Sequence, residues 1–290
     1  MPGVTVFGVT GRMGQALVRL LSVTESSDAS AADGGGLRLC GATCAPGSPR
    51  CGVEAASDGR PTGVLATDDV AASLRDAAVA VDFSRPQFVA AHAAACVRAG
   101  VPLVVGTTGM DPETRDALGA AARTIPVLIA PNTSLGVAVL MQLVGRASTA
   151  LGPSFDVEIQ ESHHREKRDA PSGTALALGA VVAQARGATL EELAVFDRHG
   201  THAPRTPGSI GFSVLRAADI VGEHTVVFAA AGERIEITHR ATDRMIFARG
   251  ALRAAAWLAA GRPAGLYGMR DVLEQGQGAS LAIDSHPRSR

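Results

Sequence analysis

Only one of the 290 residues is a lysine, one is a tryptophan and one a tyrosine, with eight phenylalanines beside them. So few aromatic rings leave little for stacking on nucleic-acid bases. Neither charge is in excess: 27 basic and 28 acidic residues give a net charge of -1. That balance supplies no basic surface for nucleic acid or for an anionic membrane. The four cysteines, Cys40, Cys44, Cys51 and Cys96, lack the paired spacing of a zinc site and have no histidine near in sequence, so no metal is expected. No basic segment followed by an apolar one opens the chain, which predicts a cytoplasmic location and free thiols. The longest uncharged run, 124–145, is broken by Pro126 and by Pro131-Asn132-Thr133-Ser134. It reads as a short strand, a turn and a helix start, not as a membrane span.

What is present points to a globular chain, 46% hydrophobic with a mean hydropathy of +0.17, long enough for one large or two ordinary domains. Apolar runs at 4–7, 37–43, 79–83, 102–105 and 126–130 read as strands. Helical spacing follows at 13–21, 86–98 and 111–123, and a polar insert falls at 26–36. Strands alternating with helices predict a doubly wound parallel α/β sheet of the Rossmann type. Beyond about Ser134 the texture changes. Helices at 137–151 and 173–185 flank a strand at 155–161, and strands at 209–216, 224–230 and 234–240 follow without helices between them. This predicts an α+β domain with a mixed or antiparallel sheet. A last helix, 245–260, is expected to pack back on the first domain, and the tail after about 275 to be loosely ordered. The resulting division is a dinucleotide-binding domain at 1–134, completed by 244–290, and a second domain at 135–243.

Gly8-Val9-Thr10-Gly11-Arg12-Met13-Gly14 lies between the first strand and the first helix. Glycines there let the backbone turn sharply beside a pyrophosphate, and N–H groups at the helix start bind its charge. The spacing is GxxGxxG instead of GxGxxG, so the strand before and the helix after carry the argument. No acidic residue follows the second strand: Cys44, Ala45 and Pro46 stand there, and Arg50, a few residues on, is long enough to meet a 2′-phosphate. Ser84-Arg85 and Gly106-Thr107-Thr108-Gly109 end later strands, where ligands of open α/β sheets collect.

The segment Glu161 to Thr174 holds two adjacent histidines, His163 and His164, and Lys167, the only lysine among 27 basic residues. Guanidinium stays protonated, so a site that needs an amine to give a proton cannot accept the arginine that this chain otherwise uses. Pro171-Ser172-Gly173-Thr174 reads as a helix start whose N–H groups point at an anion. An amine, two imidazoles and a helix N-terminus suit an anionic substrate that must gain a proton. Adjacent residues on a strand end point opposite ways, which disfavours the pair as metal ligands.

These motifs resemble the 4-hydroxy-tetrahydrodipicolinate reductase (dihydrodipicolinate reductase) family over nearly the whole chain. The resemblance rests on GVTGRMG at the start, VDFSRP at 81–86, GTTG at 106–109, APNTSLGV at 130–137 and ESHHREKRDAPSGTA at 161–175. It continues through GSIGFSVLRAADIVGEHT at 208–225, ERIEITHRATDRMIFARGA at 233–251 and GLYGMRDVL at 265–273. It implies reduction of a cyclic dicarboxylate with loss of water, in diaminopimelate and lysine synthesis. It also implies that Gly8, Val9, Thr10, Gly11, Arg12 and Met13 hold the adenosine and pyrophosphate end of the nucleotide. Gly106, Thr107 and Thr108, with Ala130, Pro131, Asn132 and Thr133, would line the nicotinamide. His163 and Lys167 would be the proton-handling catalytic residues, and His164, Gly173 and Thr174 would bind the substrate carboxylates. Ala45 stands where many members carry an acidic ribose-binding residue, and Thr133 where an aromatic is common. Use of both NADH and NADPH is therefore expected, without metal. The resemblance also implies a homotetramer built through the second sheet, whose strands at 224–230 and 234–240 are expected to leave an apolar face uncovered. Two other readings are a different two-domain NAD(P) oxidoreductase, such as an amino-acid dehydrogenase, and a non-catalytic nucleotide-binding relative.

Overall fold

Five residues without a charge, Gly3–Phe7, form the buried strand β1, and the glycines that follow turn the chain into helix α1 (Arg12–Val23). The computed structural model describes residues 1–23, 36–56 and 59–274, so the polar insert (save Gly36) and the tail after 274 lie outside the described residues. The chain continues through β2 (Arg38–Thr43), β3 (Ala66–Thr67), α2 (Val70–Ser73), β4 (Val79–Asp82), α3 (Pro86–Ala99), β5 (Leu103–Val105), α4 (Pro112–Ala121) and β6 (Pro126–Ile129). Then come α5 (Leu135–Leu151), β7 (Asp156–His163), α6 (Gly173–Ala185), α7 (Leu190–Leu193), β8 (Ala194–Val195), β9 (Ile210–Arg216), β10 (Gly222–Ala230) and β11 (Glu233–Ala241). Helix α8 (Met245–Ala259), β12 (Gly265–Tyr267) and α9 (Met269–Glu274) complete it.

Seven strands pair in parallel in the order β12-β6-β5-β4-β1-β2-β3. Local chemistry sets the helix ends. Pro86 begins α3, Asp111 caps α4 by accepting from the Thr114 amide, and Gly100 closes α3 at φ 66°, a conformation that glycine adopts without penalty. Two clusters of apolar residues cover the sheet's two faces. One holds Val4, Val6, Leu17, Leu252 and Leu258, and the other Phe7, Val89, Leu103 and Leu118. The sheet order reverses between β1 and β4, which opens a crevice at their C-terminal ends. As expected, α8 packs on the first sheet, against α1 and β4.

The second sheet runs β11-β10-β7-β9-β8, antiparallel from β11 to β7 and parallel onward. Alternation along β7 sends Val157, Ile159, Glu161 and His163 inward. The apolar pair Val157 and Ile159 meets Leu140 and Val144 of α5 and Leu178 and Val182 of α6. The uncovered face is mainly polar, with Val227, Ala229 and Leu215 its apolar members, which corrects the expectation of an apolar face. Glu158, Gln160, Thr225, Thr238 and Arg240 alternate outward, because most apolar positions of the same strands are the ones that α5 and α6 cover.

The cysteines bring a second correction. Cys44 and Cys51 form a disulfide with their Cα atoms 6.1 Å apart, where free thiols were expected. The turns between them fold the chain back on itself, through Ser48 N–H to Ala45 O and Cys51 N–H to Ser48 O, and bring the sulfurs together. Cys40 and Cys96 are free.

Candidate active site

A cavity of about 2060 Å3 lies where the ends of the first sheet face β7, β10 and α6. Arg12, Met13, Gly106, Thr107, Thr108, Ala130, Pro131, Asn132 and Thr133 line one side, and His163, His164, Lys167, Gly173 and Thr174 the other. A second cavity of about 480 Å3 is lined by Gly8, Thr10 and Gly11 together with Cys44, Ala45 and Pro46. Val9 lines neither: its side chain is buried in the core and its N–H donates to Thr43 O at 2.9 Å.

The glycine turn fits a dinucleotide. Gly8 has φ 80°, and a Cβ there would lie 2.8 Å from Phe83 O. A Cβ at Gly14 would strike Gly8 O. The first turn of α1 therefore sits directly behind the loop, with backbone N–H groups that have no acceptor inside the helix. No carboxylate stands at 44–46, as the sequence predicts. Arg50 is exposed and outside the lining of both cavities, with its backbone N–H on Ser48 Oγ at 3.2 Å, while Arg85 and Asp68 line the smaller one. Arg85 belongs to a strand end that the sequence points to, whereas Asp68 went unnoticed, because it follows a two-residue strand that periodicity does not reveal.

Buried Asp82, at the end of β4, organises the cofactor side. Its Oδ1 accepts from Ser84 N–H at 2.8 Å and Thr107 Oγ at 3.1 Å, and its Oδ2 pairs with His92 Nδ1 at 2.8 Å. The His92 ring lies on Phe7, with centroids 4.4 Å apart. On the other flank Thr133 donates to Phe247 O at 2.7 Å, and Gly250 leaves room for the Thr133 carbonyl against α8. Asn132 joins the two sides of the cavity, donating to Thr174 Oγ1 at 3.0 Å.

On the substrate side the inward position of Glu161 was not anticipated. Glu161 Oε2 accepts from His163 Nδ1 at 2.6 Å, Oε1 accepts from Ser172 N–H at 2.9 Å, and Arg216 donates to both oxygens at 2.7 Å. The signal was available: on an alternating strand, a carboxylate two residues before a histidine shares its face. Burial alone would raise the Glu161 carboxyl, but Arg216, His163 and Ser172 hold it below the usual carboxylate range. An ionised carboxylate can only accept, so Nδ1 of His163 carries the proton and Nε2 is the unprotonated nitrogen. A Cβ on Gly222 would come within 3.0 Å of that Nε2, so glycine keeps this edge of the ring uncovered. Burial lowers the His163 pKa, Glu161 opposes that, and Lys167 and Arg216 lower it further.

β7 ends at His163, which frees His164 from strand alternation and lets both rings line the cavity. Lys167 is half-buried, and its Nζ bonds both Asp169 oxygens at 2.8 and 2.9 Å. Ser172 caps α6 by accepting from Ala175 N–H, and its hydroxyl meets His224 Nε2 at 2.9 Å. Burial, reinforced by His163, pushes His224 down to about 4.

Residues 3–133 match the family model "Dihydrodipicolinate reductase, N-terminus", and residues 136–273 match "Dihydrodipicolinate reductase, C-terminus". The chain is 48% identical over 275 residues to the 4-hydroxy-tetrahydrodipicolinate reductase of Anaeromyxobacter dehalogenans (strain 2CP-1), covering 94% of this chain and 98% of that one. It is 49% identical to the enzyme of the same name from Thiobacillus denitrificans over 271 residues, 93% of this chain and 97% of its relative. The fold is similar to that of dipicolinate-bound dihydrodipicolinate reductase from Paenisporosarcina sp. TG-14, with a TM-score of 0.70 at 22% identity, covering 93% and 99% of the two chains. Two family models that together span the described fold, joined to relatives nearly half identical end to end, place this chain in the dihydrodipicolinate reductase family.

Proposed function

We propose that this chain reduces 4-hydroxy-tetrahydrodipicolinate to tetrahydrodipicolinate with loss of water, in cytoplasmic diaminopimelate and lysine synthesis. The observation that carries this reading is the single cavity in which the Gly106–Thr108 and Ala130–Thr133 turns face His163, Lys167 and the start of α6. The nicotinamide cofactor supplies hydride when bound, held by the glycine turn and those two loops. Gly173 and Thr174 offer N–H groups to one substrate carboxylate, with His164 beside them. Negative charge builds on the substrate as it is reduced, so the Lys167 ammonium stabilises the transition state more than the ground state. Lys167 Nζ is the proton donor, and His163 Nε2 exchanges a proton with the same substrate. In the same reading, 1–134 with 244–290 is the nucleotide-binding unit, and 135–243 the substrate and tetramerisation unit. The outward polar face of the second sheet then serves as the contact between copies in a homotetramer.

The chain should accept both nucleotides, because the end of β2 carries no acidic group and, in the smaller cavity, the Arg85 cation offsets the Asp68 carboxylate toward a 2′-phosphate. The deciding assay supplies the condensation product of the preceding synthase and follows oxidation of NADH and NADPH in parallel. Turnover with both is expected. No turnover with either rejects the activity, and a preference of a hundredfold or more, about 2.7 kcal/mol, rejects dual use.

A further inference from the structure

Four donors converge on the Glu161 carboxylate from three parts of the chain. His163 comes from its own strand, Ser172 from the start of α6, and the Arg216 fork from the end of β9. Arg216 also donates to Asp169 O at 2.7 Å, which ties down the loop that carries Lys167. The β7–β9 register places Arg216 directly opposite His163. We infer that Glu161, clamped by Arg216, is a positioning residue that holds the His163 imidazole and the carboxylate-binding start of α6 as one unit. The inference rests on the proposed proton role of His163.

The physical case is one of geometry. The two carboxylate oxygens accept four hydrogen bonds, two each, which uses the acceptor capacity of the group. One side-chain rotation of Glu161 would therefore release both the ring and the helix start. Because the carboxylate is buried and the Arg216 fork is planar, that rotation has no alternative set of donors to find. The charged and titratable groups facing His163 are Glu161 on its own strand, Lys167 in the following loop, Arg216 on β9 and His224 on β10. His239 of β11 stands behind His224, and Asp169 is held by Lys167. Among these, Glu161 is the group that favours a protonated His163.

Glu161→Gln keeps the shape but replaces one acceptor oxygen with a donor that faces other donors. The expected result is a kcat lowered about ten- to a hundredfold and a raised KM for the dicarboxylate, since small misplacements of reacting groups cost that much. The KM for nucleotide should stay within about twofold, because the cofactor turns lie on the other sheet. Ring-nitrogen NMR of histidine-labelled enzyme should show His163 titrating at lower pH and no longer held as the Nδ1–H form. Wild-type titration and kinetics in Glu161→Gln overturn the inference. If that variant does not fold, Arg216→Lys keeps the charge without the fork and should raise the dicarboxylate KM alone; unchanged kinetics there overturn it too. His163→Gln separates the two readings. Full turnover in His163→Gln removes the proton role and the inference with it, whereas an impaired His163→Gln beside a wild-type Glu161→Gln overturns the inference alone.

Discussion

Among the described residues are two carboxylate–histidine pairs with almost the same separation, one at each sheet. Asp82 and His92 meet at 2.8 Å at the end of β4, and Glu161 and His163 at 2.6 Å at the end of β7. In both, a buried carboxylate at a strand end accepts a hydrogen bond from the ring's Nδ1. The surroundings differ. His92 packs on Phe7 with the two rings tilted by 34°, and Asp82 gives its remaining lone pairs to the loops that end in Ser84 and Thr107. His163 faces Gly222, and its carboxylate is braced by an arginine. The first pair fixes backbone under the cofactor turns, and the second leaves a ring nitrogen at a cavity. The same two functional groups thus form a covered strut or an open-edged ring according to what covers the far edge of the ring.

The largest expected effect tests the cavity-facing pair through its neighbour. Lys167→Ala should lower kcat by about a hundred- to ten-thousandfold, the usual cost of losing a positioned proton donor. Thermal unfolding should barely change, because Lys167 bonds only the exposed carboxylate of Asp169. A kcat near that of the unsubstituted enzyme would leave the second pair no more catalytic than the first.

A third histidine sharpens the contrast, because its ring is bonded to a hydroxyl and not to a carboxylate. His224 is buried and neutral, with a folded pKa of about 4 against an ordinary 6.5. The fold disfavours its protonated form, so its contribution is present above pH 6.5 and is lost as pH falls toward 4. The loss amounts to roughly 3 kcal/mol at full protonation. Denaturant titrations between pH 7 and 4 should show a shallower fall for His224→Gln than for the unsubstituted chain. Parallel curves would mean that another group sets the acid limb.

The smallest effect concerns the buried pair. Asp82→Asn leaves a donor facing the Ser84 amide or His92, at a cost of about 1–3 kcal/mol in stability. The nucleotide KM should rise several-fold while the dicarboxylate KM holds. If both constants rise together, the division of labour between the two pairs fails.

The sequence made local features legible and left distant ones hidden. The glycine turn, the alternation of strands and helices, His163, His164, Lys167 and the cap at Ser172 are all set within a few residues, and each lies where its motif suggests. Arg216 became visible only with the β7–β9 register, which couples residues 53 apart. Strands of two or three residues, β3 and β12, are too short for periodicity, so Asp68 at the smaller cavity went unseen. Cys44 and Cys51 were read by compartment, whereas two successive turns decide their approach.

The scarcity of lysine has a practical consequence for chemistry done on the protein from outside. Apart from the N-terminal amine, Lys167 is the one primary amine in these 290 residues, and it lines the cavity. Amine-directed reagents, which scatter over the surface of most proteins, have one side chain to modify in this one. A protease that cuts after lysine has a single bond available, between Lys167 and Arg168. A label or a nick introduced by such reagents is addressed to this cavity-lining loop by composition alone, before any engineered cysteine or tag is added.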